Sequence, residues 1–304
     1  MRVAAVDLGT NTALLLVVDK RGQELIPIVN EAEIVRLGQG VDRTGSLSNE
    51  AMERTLAVLE RFGETVRQSG VERAGAVGTQ ALREVDNGAA FLDRARIALG
   101  FPVDVIDGQR EARLSWRAVA ESFPPPPGGR RTVLDIGGGS TELLLGGSEI
   151  EALASLPIGS VRLTERLLRE DPPTVAERHA LIAAIDHALD VAPARLFLPG
   201  GELVGVAGTI TTLCAITLGL ACYDGERVQG TLLKRSDVER EVERLGAMPL
   251  ADRRRTAGLD PRRADVIYAG GMILLRVLDR ASADVIHVSD RGIRWGLAGE
   301  LAEG

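Results

Sequence analysis

Short apolar runs alternate with longer stretches of helical periodicity along most of the chain. That alternation is the pattern of an α/β protein. Val3-Ala4-Ala5-Val6 reads as a buried strand ending at Asp7 and a polar glycine turn, and residues 13–19 and 24–30 read as strands joined at Lys20-Arg21-Gly22. A loop rich in Gly and Asp covers 37–47. Ser48 then caps an amphipathic helix to about Ser69, with Glu50 and Glu53 suiting its positive end. Residues 74–77 and 103–106 are predicted strands, and 87–99 and 108–121 predicted helices.

The pattern breaks at Ser122-Phe123-Pro124-Pro125-Pro126-Pro127-Gly128-Gly129-Arg130-Arg131. Consecutive prolines cannot continue a helix and behave as a semi-stiff spacer. Two domains are therefore expected, 1–124 and 130–290, joined through 122–131, with a closing helix over about 291–304. The second half predicts strands at 132–136, 141–145, 149–156, 203–207 and 285–288. Its predicted helices lie at 159–169, 174–191, 236–245 and 261–280, with another opening at Gly208-Thr209-Ile210-Thr211.

Each half begins with the same short phrase. Leu134-Asp135-Ile136-Gly137-Gly138-Gly139-Ser140-Thr141-Glu142 is a strand, an acid, a glycine-hydroxyl turn and a second strand. Val6-Asp7-Leu8-Gly9-Thr10-Asn11-Thr12 repeats it and reads as one residue shorter. Glycines let a backbone approach a ligand closely, and successive N–H groups can cradle phosphate oxygens. The acids would stand where a divalent cation could neutralise that phosphate. One such turn could be an ordinary hairpin. Its duplication implies two related halves presenting acidic polar loops to a shared cleft. Gly208-Thr209, where a strand feeds a helix, is a natural third anion site, although an ordinary capped helix fits those residues equally well.

The chain has 304 residues, with 45% hydrophobic and 26% charged, an ordinary balance for a globular protein with a sizeable core. No apolar run is long enough to span a bilayer and no signal peptide is evident, so a cytoplasmic protein without membrane association is expected. Net charge of −7 argues against nucleic acid as a partner. Nearly all positive charge is arginine, which suits bidentate phosphate contacts. Aromatic content of 3% argues against base-stacking platforms. Cys214 and Cys222 read as buried reduced thiols.

Among acids outside the loops, Glu111 stands near the start of the helix leading to the spacer, where it could activate a water. Read alone, a Glu in a helix's first turn is more often a dipole partner. Arg83 could clamp a phosphate or pair with Glu84 or Asp86. No P-loop and no Gly-x-Ser-x-Gly elbow is present. His179, His187 and His287 lack clustered partners. Arg253-Arg254-Arg255 and Arg262-Arg263 read as solvated helix ends.

Together the two acidic hairpins, Thr79 to Arg83 with Asn87, Glu111-Ala112, 157–165, Ala207-Gly208-Thr209, 263–267 with Gly270, and 289–296 resemble the exopolyphosphatase / guanosine pentaphosphate phosphohydrolase family. The resemblance spans essentially the whole chain. It implies two ribonuclease-H-like domains of the actin, sugar-kinase and heat-shock-chaperone superfamily with an interdomain cleft, the closing helix returning to the first domain. It implies Mg²⁺-dependent removal of terminal phosphate from inorganic polyphosphate, or from guanosine pentaphosphate. Glu111 matches the water-activating carboxylate. Asp135 and Glu142 match acids around the metal, with Asp7 opposite. Gly9, Thr10, Asn11, Thr12, Arg83, Gly137, Gly138, Gly139, Ser140, Thr141, Gly208 and Thr209 match phosphate-contacting positions.

Departures from the family pattern are Leu14 for a common basic residue, Gln80 for a common serine and Trp295 for a common acid. The chain ends at Gly304, where longer relatives continue into a helical His-Asp domain, so short polyphosphates and poor processivity are expected. A homodimer is left open. A non-catalytic polyphosphate or alarmone sensor and an ATP-dependent kinase of the same superfamily are the competing readings. Retention of Glu111 disfavours the sensor, and the kinase demands an adenosine site.

Overall fold

The computed structural model describes residues 1–124, 126, 129–197 and 201–304. Pro125, Pro127 and Gly128 of the expected spacer lie outside the described residues. The chain forms two compact units, one of Met1–Ala118 with Ile293–Gly304 and the other of Val119–Gly292.

In the first unit β1 (Arg2–Leu8), β2 (Thr12–Arg21) and β3 (Glu24–Ile34) form an antiparallel meander. Helices α1 (Val41–Thr44) and α2 (Asn49–Gln68) precede β4 (Arg73–Gly78). Then come α3 (Gln80–Arg83), α4 (Gly88–Leu99), β5 (Val103–Val105) and α5 (Gly108–Ser122). The sheet order is β3-β2-β1-β4-β5, with β1, β4 and β5 parallel. Strand β1 is covered on both faces, which explains its continuous apolar run. Ala4, Val6 and Leu8 pack with Leu59, Phe62 and Phe91 of α2 and α4. Val3 and Ala5 pack with Leu114 and Ala118 of α5 and with Trp295 and Ala298 of the closing helix. Gly296 permits that last contact, because a Cβ there would lie 2.1 Å from Leu114 O. Lys20 Nζ and an Arg73 guanidinium nitrogen donate to Ala302 O (3.0 Å) and Leu301 O (3.2 Å), satisfying carbonyls at the closing helix's negative end.

The second unit carries β6 (Arg131–Ile136), β7 (Thr141–Gly146), β8 (Ile150–Leu156), α6 (Ser160–Leu167) and α7 (Val175–Asp190). Next are β9 (Glu202–Val206), α8 (Ala207–Thr217), α9 (Gly225–Val228), β10 (Leu232–Lys234), α10 (Arg235–Ala247) and α11 (Leu250–Arg253). The chain then forms α12 (Ile267–Ala281) and β11 (Val285–Val288), and closes with α13 (Ile293–Glu303) in the first unit. Its sheet order, β10-β11-β9-β6-β7-β8, repeats the first sheet with one short edge strand added. Both sheets are mixed, and their shared order is ribonuclease-H-like. Strand β10 had no sequence signal: three residues cannot establish a period.

Several sequence readings are corrected. The 261–280 helix is broken, because the Asp260 carboxylate accepts from Arg262 N (2.8 Å) and caps a separate 3₁₀ turn at Pro261–Arg263. Arg253 is no solvated helix end. Its guanidinium is buried and donates to the carbonyls of Leu245 (2.8 Å) and Met248 (2.8 Å) at the end of α10 and of Ala264 (3.0 Å) just after the 3₁₀ turn. Cys214 is buried, but Cys222 is exposed.

Helix α7 opens on a capping box. The Glu177 carboxylate accepts from the N–H groups of Arg169 (2.8 Å), Thr174 (2.8 Å) and Glu170 (3.1 Å), and the Arg169 and Thr174 bonds lead in driving its pKa down to about 2, from 4.5. A depressed carboxylate stabilises the fold above its unfolded pKa and loses that contribution as pH falls through the folded value. Glu177→Gln should therefore lower the thermal midpoint at pH 7, with the deficit closing as pH falls from about 4.5 towards 2. Thermal melts across that range check this. A pH-independent deficit would assign the loss to shape rather than charge.

Candidate active site

In the first unit the site grows from the carboxyl ends of β1, β4 and β5, where ligands of open α/β sheets gather. Gly9 N donates to Thr12 O (3.0 Å), closing the β1–β2 turn. The carbonyls of Thr10 and Asn11 are engaged by the N–H groups of Gly38 (2.8 Å) and of Val35 and Arg36 (3.0 and 2.9 Å). Their own N–H groups donate to nothing among the described residues. Thr79 N reaches Leu8 O (3.1 Å) and places α3 beside this turn. There the Gln80 amide is oriented by Glu84, which accepts from Nε2 (2.6 Å), so its oxygen faces the Thr10 hydroxyl (3.2 Å).

Glu111 and Arg83 meet in the same unit. Asp107 caps α5 through Arg110 N (2.7 Å), which relieves Glu111 of that task. The buried Glu111 carboxylate instead accepts from an Arg83 guanidinium nitrogen (2.9 Å) that also donates to Ile106 O (2.7 Å). Arg83 thus pairs with neither of its sequence neighbours, but with an acid on another helix. Asp7 shares its sheet face with Val3 and Ala5, the side covered by α5.

The second unit repeats this construction in detail. Gly137 N donates to Ser140 O (3.0 Å), and a Cβ at Gly137 would lie 3.1 Å from that oxygen, as one at Gly9 would lie 3.3 Å from Thr12 O. Leu8 pairs with Ala13 and Ile136 with Thr141, so the two turns have equal length. The reading of a shorter first copy is corrected: the third glycine stands where the first copy has Asn11. The N-terminal N–H groups of α6 take the loop's carbonyls, Ser160 N reaching Gly137 O (3.0 Å) and Val161 N and Arg162 N reaching Gly138 O (2.9 and 3.1 Å). The N–H groups of Gly138, Gly139 and Ser140 again donate to nothing among the described residues. An anion is the natural partner for such a nest. Thr141 is fully buried and gives its hydroxyl proton to Ile158 O (2.7 Å), so its side chain fixes the neighbouring segment rather than offering a donor to a ligand.

Val206 lies beside Asp135 across the parallel β6–β9 pair, so α8 begins next to the glycine turn. Ala207 holds φ 68°, a left-handed conformation costly to a residue with a Cβ, and leads into Gly208. Gly208 N and Thr209 N have no acceptor among the described residues. Gly270 of α12 lets that helix approach, since a Cβ there would fall 2.6 Å from Thr209 Oγ1. Arg263, expected to be solvated, is the residue that sequence reasoning missed. Its guanidinium lies against Gly208, where a Cβ would sit 1.9 Å from Nη1. No periodicity announces such a contact; the only signal was an arginine inside a segment that resembles the family.

Asp135 and Glu142 are direct cross-strand partners, hence on one face of the β6–β7 hairpin, and Glu142 Oε1 accepts from Ser155 Oγ (2.7 Å) on β8. Asp7 faces Leu14 instead. Among the described residues no group of three or more His, Cys, Asp or Glu side chains forms a cage. A carboxylate pair beside a phosphate nest suits Mg²⁺, which commonly takes one or two carboxylates and completes its shell with water and substrate oxygens.

Two ribonuclease-H-like units with matching acidic glycine turns, one beside a buried Arg–Glu pair, define a two-domain phosphoryl-transfer enzyme. A family model for the Ppx/GppA phosphatase family matches residues 16–303, and the chain belongs to that family in its short form. Exopolyphosphatase 2 of Mycobacterium tuberculosis is 38% identical, over 99% of this chain and 98% of that protein. An exopolyphosphatase of known structure from Cytophaga hutchinsonii superposes with a TM-score of 0.91 at 30% identity, over 99% of this chain and 98% of that one. The guanosine-5'-triphosphate,3'-diphosphate pyrophosphatase of Photobacterium profundum is 32% identical, over 98% of this chain and 59% of that protein. The chain is a phosphatase of exopolyphosphatase-like type. Among the described residues no helix is long and apolar enough to cross a membrane.

Proposed function

We propose that this enzyme hydrolyses the terminal phosphoanhydride of inorganic polyphosphate and releases orthophosphate. The observation that carries the reading is the buried Glu111 carboxylate held by Arg83. A desolvated acid is costly to bury unpaired, and the Arg83 bond fixes the carboxylate in place as a proton acceptor. Water attacks the terminal phosphorus, its proton passes to Glu111, and the bridging P–O bond breaks to leave a chain one phosphate shorter. The open N–H groups of Thr10, Asn11, Gly138, Gly139, Ser140, Gly208 and Thr209, with Gly9, Thr12 and Gly137 shaping the turns, bind phosphate oxygens. Arg83 and Arg263 add charge-assisted bonds.

Asp135 and Glu142 would hold Mg²⁺, which when bound neutralises charge on phosphate oxygens. Asp135→Asn should weaken divalent-cation binding by at least about tenfold, read by Mn²⁺ titration as well as turnover. Unchanged binding removes Asp135 from the metal site.

Phosphate release from polyphosphates of defined length and from guanosine pentaphosphate, with Mg²⁺ or chelator, tests the reading as a whole. No release from any polyphosphate defeats it. Faster turnover of long polymers than of oligomers counts against the short-chain expectation. The Photobacterium profundum relative, named a guanosine-5'-triphosphate,3'-diphosphate pyrophosphatase, supports that nucleotide as the alternative substrate.

A further inference from the structure

The side chain of Thr10, in the β1–β2 turn, is already committed. Glu84 accepts from Gln80 Nε2 (2.6 Å), so the amide oxygen is the atom turned towards Thr10, and the Thr10 hydroxyl donates to it (3.2 Å). A hydroxyl has one proton to give, and this one is spent inside the protein. Thr10 and Gln80 are both buried, and Thr10 is enclosed on another side by Gly38, where a Cβ would lie 2.3 Å from Thr10 Cγ2. The second unit shows that the turn forms without such a bond. Its copy has the same length and the same closing bond (3.0 Å in each), yet Gly138 stands where the first copy has Thr10. What the side-chain bond adds is a link to α3. That single helical turn carries Gln80 at one end and Arg83 at the other, and Arg83 holds the Glu111 carboxylate (2.9 Å).

We propose that Gln80 is a positioning residue: through the Thr10 hydroxyl it ties the first phosphate turn to the helix that carries Arg83, and so fixes the turn's N–H groups relative to the Arg83–Glu111 pair. This rests on the phosphate-site reading above and adds to it a residue that touches no substrate. Thr10 then meets phosphate through its N–H and not through its hydroxyl. The N–H groups of Val35, Arg36 and Gly38 hold the turn's carbonyls from the end of β3, and Gln80 holds it from the end of β4. Donors fixed beforehand serve an anion better, because binding does not have to order them. Glu84 keeps the brace in register: its charge-assisted bond to Nε2 prevents the amide from turning its donor end towards Thr10. Gln80 stands where the family commonly has serine, so the brace is a feature of this sequence.

A double-substitution cycle on the full chain tests the proposal, read by equilibrium titration with imidodiphosphate, whose P–N–P bridge resists hydrolysis. Gln80→Met removes the acceptor at similar length, and Thr10→Val removes the donor at similar shape. Each is expected to weaken binding by roughly three- to tenfold, the scale of one hydrogen bond. The two together should lose no more than either alone, because both break the same link. Thr10→Ser, which keeps the hydroxyl, should bind nearly as the wild type does. Were the hydroxyl itself a phosphate ligand, Gln80→Met would release it and hold or raise affinity while Thr10→Val lost it. That result, or losses that add, overturns the proposal. So does a lowered thermal midpoint with unchanged affinity, which would make Gln80 a packing residue. The two readings fail separately. Intact coupling without phosphate release from any polyphosphate removes the proposed activity, whereas release without coupling removes only the brace. A wild type that binds no imidodiphosphate defeats the phosphate turn and the brace with it.

Discussion

Glu111→Gln is expected to lower kcat by roughly two to four orders of magnitude, the usual worth of a positioned general base. The substitution preserves shape, and the amide oxygen can still accept from Arg83 at the present position of Oε2. KM and folding stability should therefore change little, and the loss should fall on the chemical step. Steady-state phosphate release alongside a thermal melt separates these outcomes. Turnover near the wild-type rate would move the water-activating role to another group. A melt lowered in proportion to the lost activity would make Glu111 a structural ion-pair partner instead.

Gly159→Ala should be the most damaging small change outside the acids. Gly159 has φ −153° and ψ 165°, extended backbone open to any residue, so the need for glycine lies in contact rather than torsion. A Cβ would fall 2.4 Å from Gly138 O, 2.5 Å from Gly138 C and 2.6 Å from Gly139 N. All three are backbone atoms of the phosphate turn, and none can swing aside as a side-chain tip could. The turn must shift, carrying the Gly138 and Gly139 N–H groups with it. A displacement approaching 1 Å in a positioning element costs about a hundredfold in rate, and overpacking costs about 1–3 kcal/mol of stability. Gly22→Ala is the control: φ +61° with nothing within 4 Å predicts a stability loss of about 1 kcal/mol and ordinary turnover. If Gly159→Ala lowered stability and left turnover alone, the α6 contact would be packing only.

The two acidic turns were legible because their signal is local. Strand, acid, glycine and strand follow one another in the chain, and the resulting hairpins are set by adjacent residues and a single turn bond each. Helices α2 and α7 were legible for the same reason, their caps Ser48 and Thr174 lying one turn from the residues they serve. Even there, counting glycines misjudged the first turn by one residue, because composition does not reveal which residues pair.

The sequence by itself determined the α/β class, the duplicated acidic hairpin and the residue types that phosphate chemistry requires. Only the tertiary structure decided which charges meet. It paired Arg83 with Glu111, 28 residues away, rather than with Glu84. It set Arg263 against Gly208 and spent the carbonyls of the glycine turn on α6. The physical reason is range: periodicity and turn chemistry act over a few residues, whereas the partner of a guanidinium or a turn carbonyl is whichever group the packed sheet and helices bring within about 3 Å.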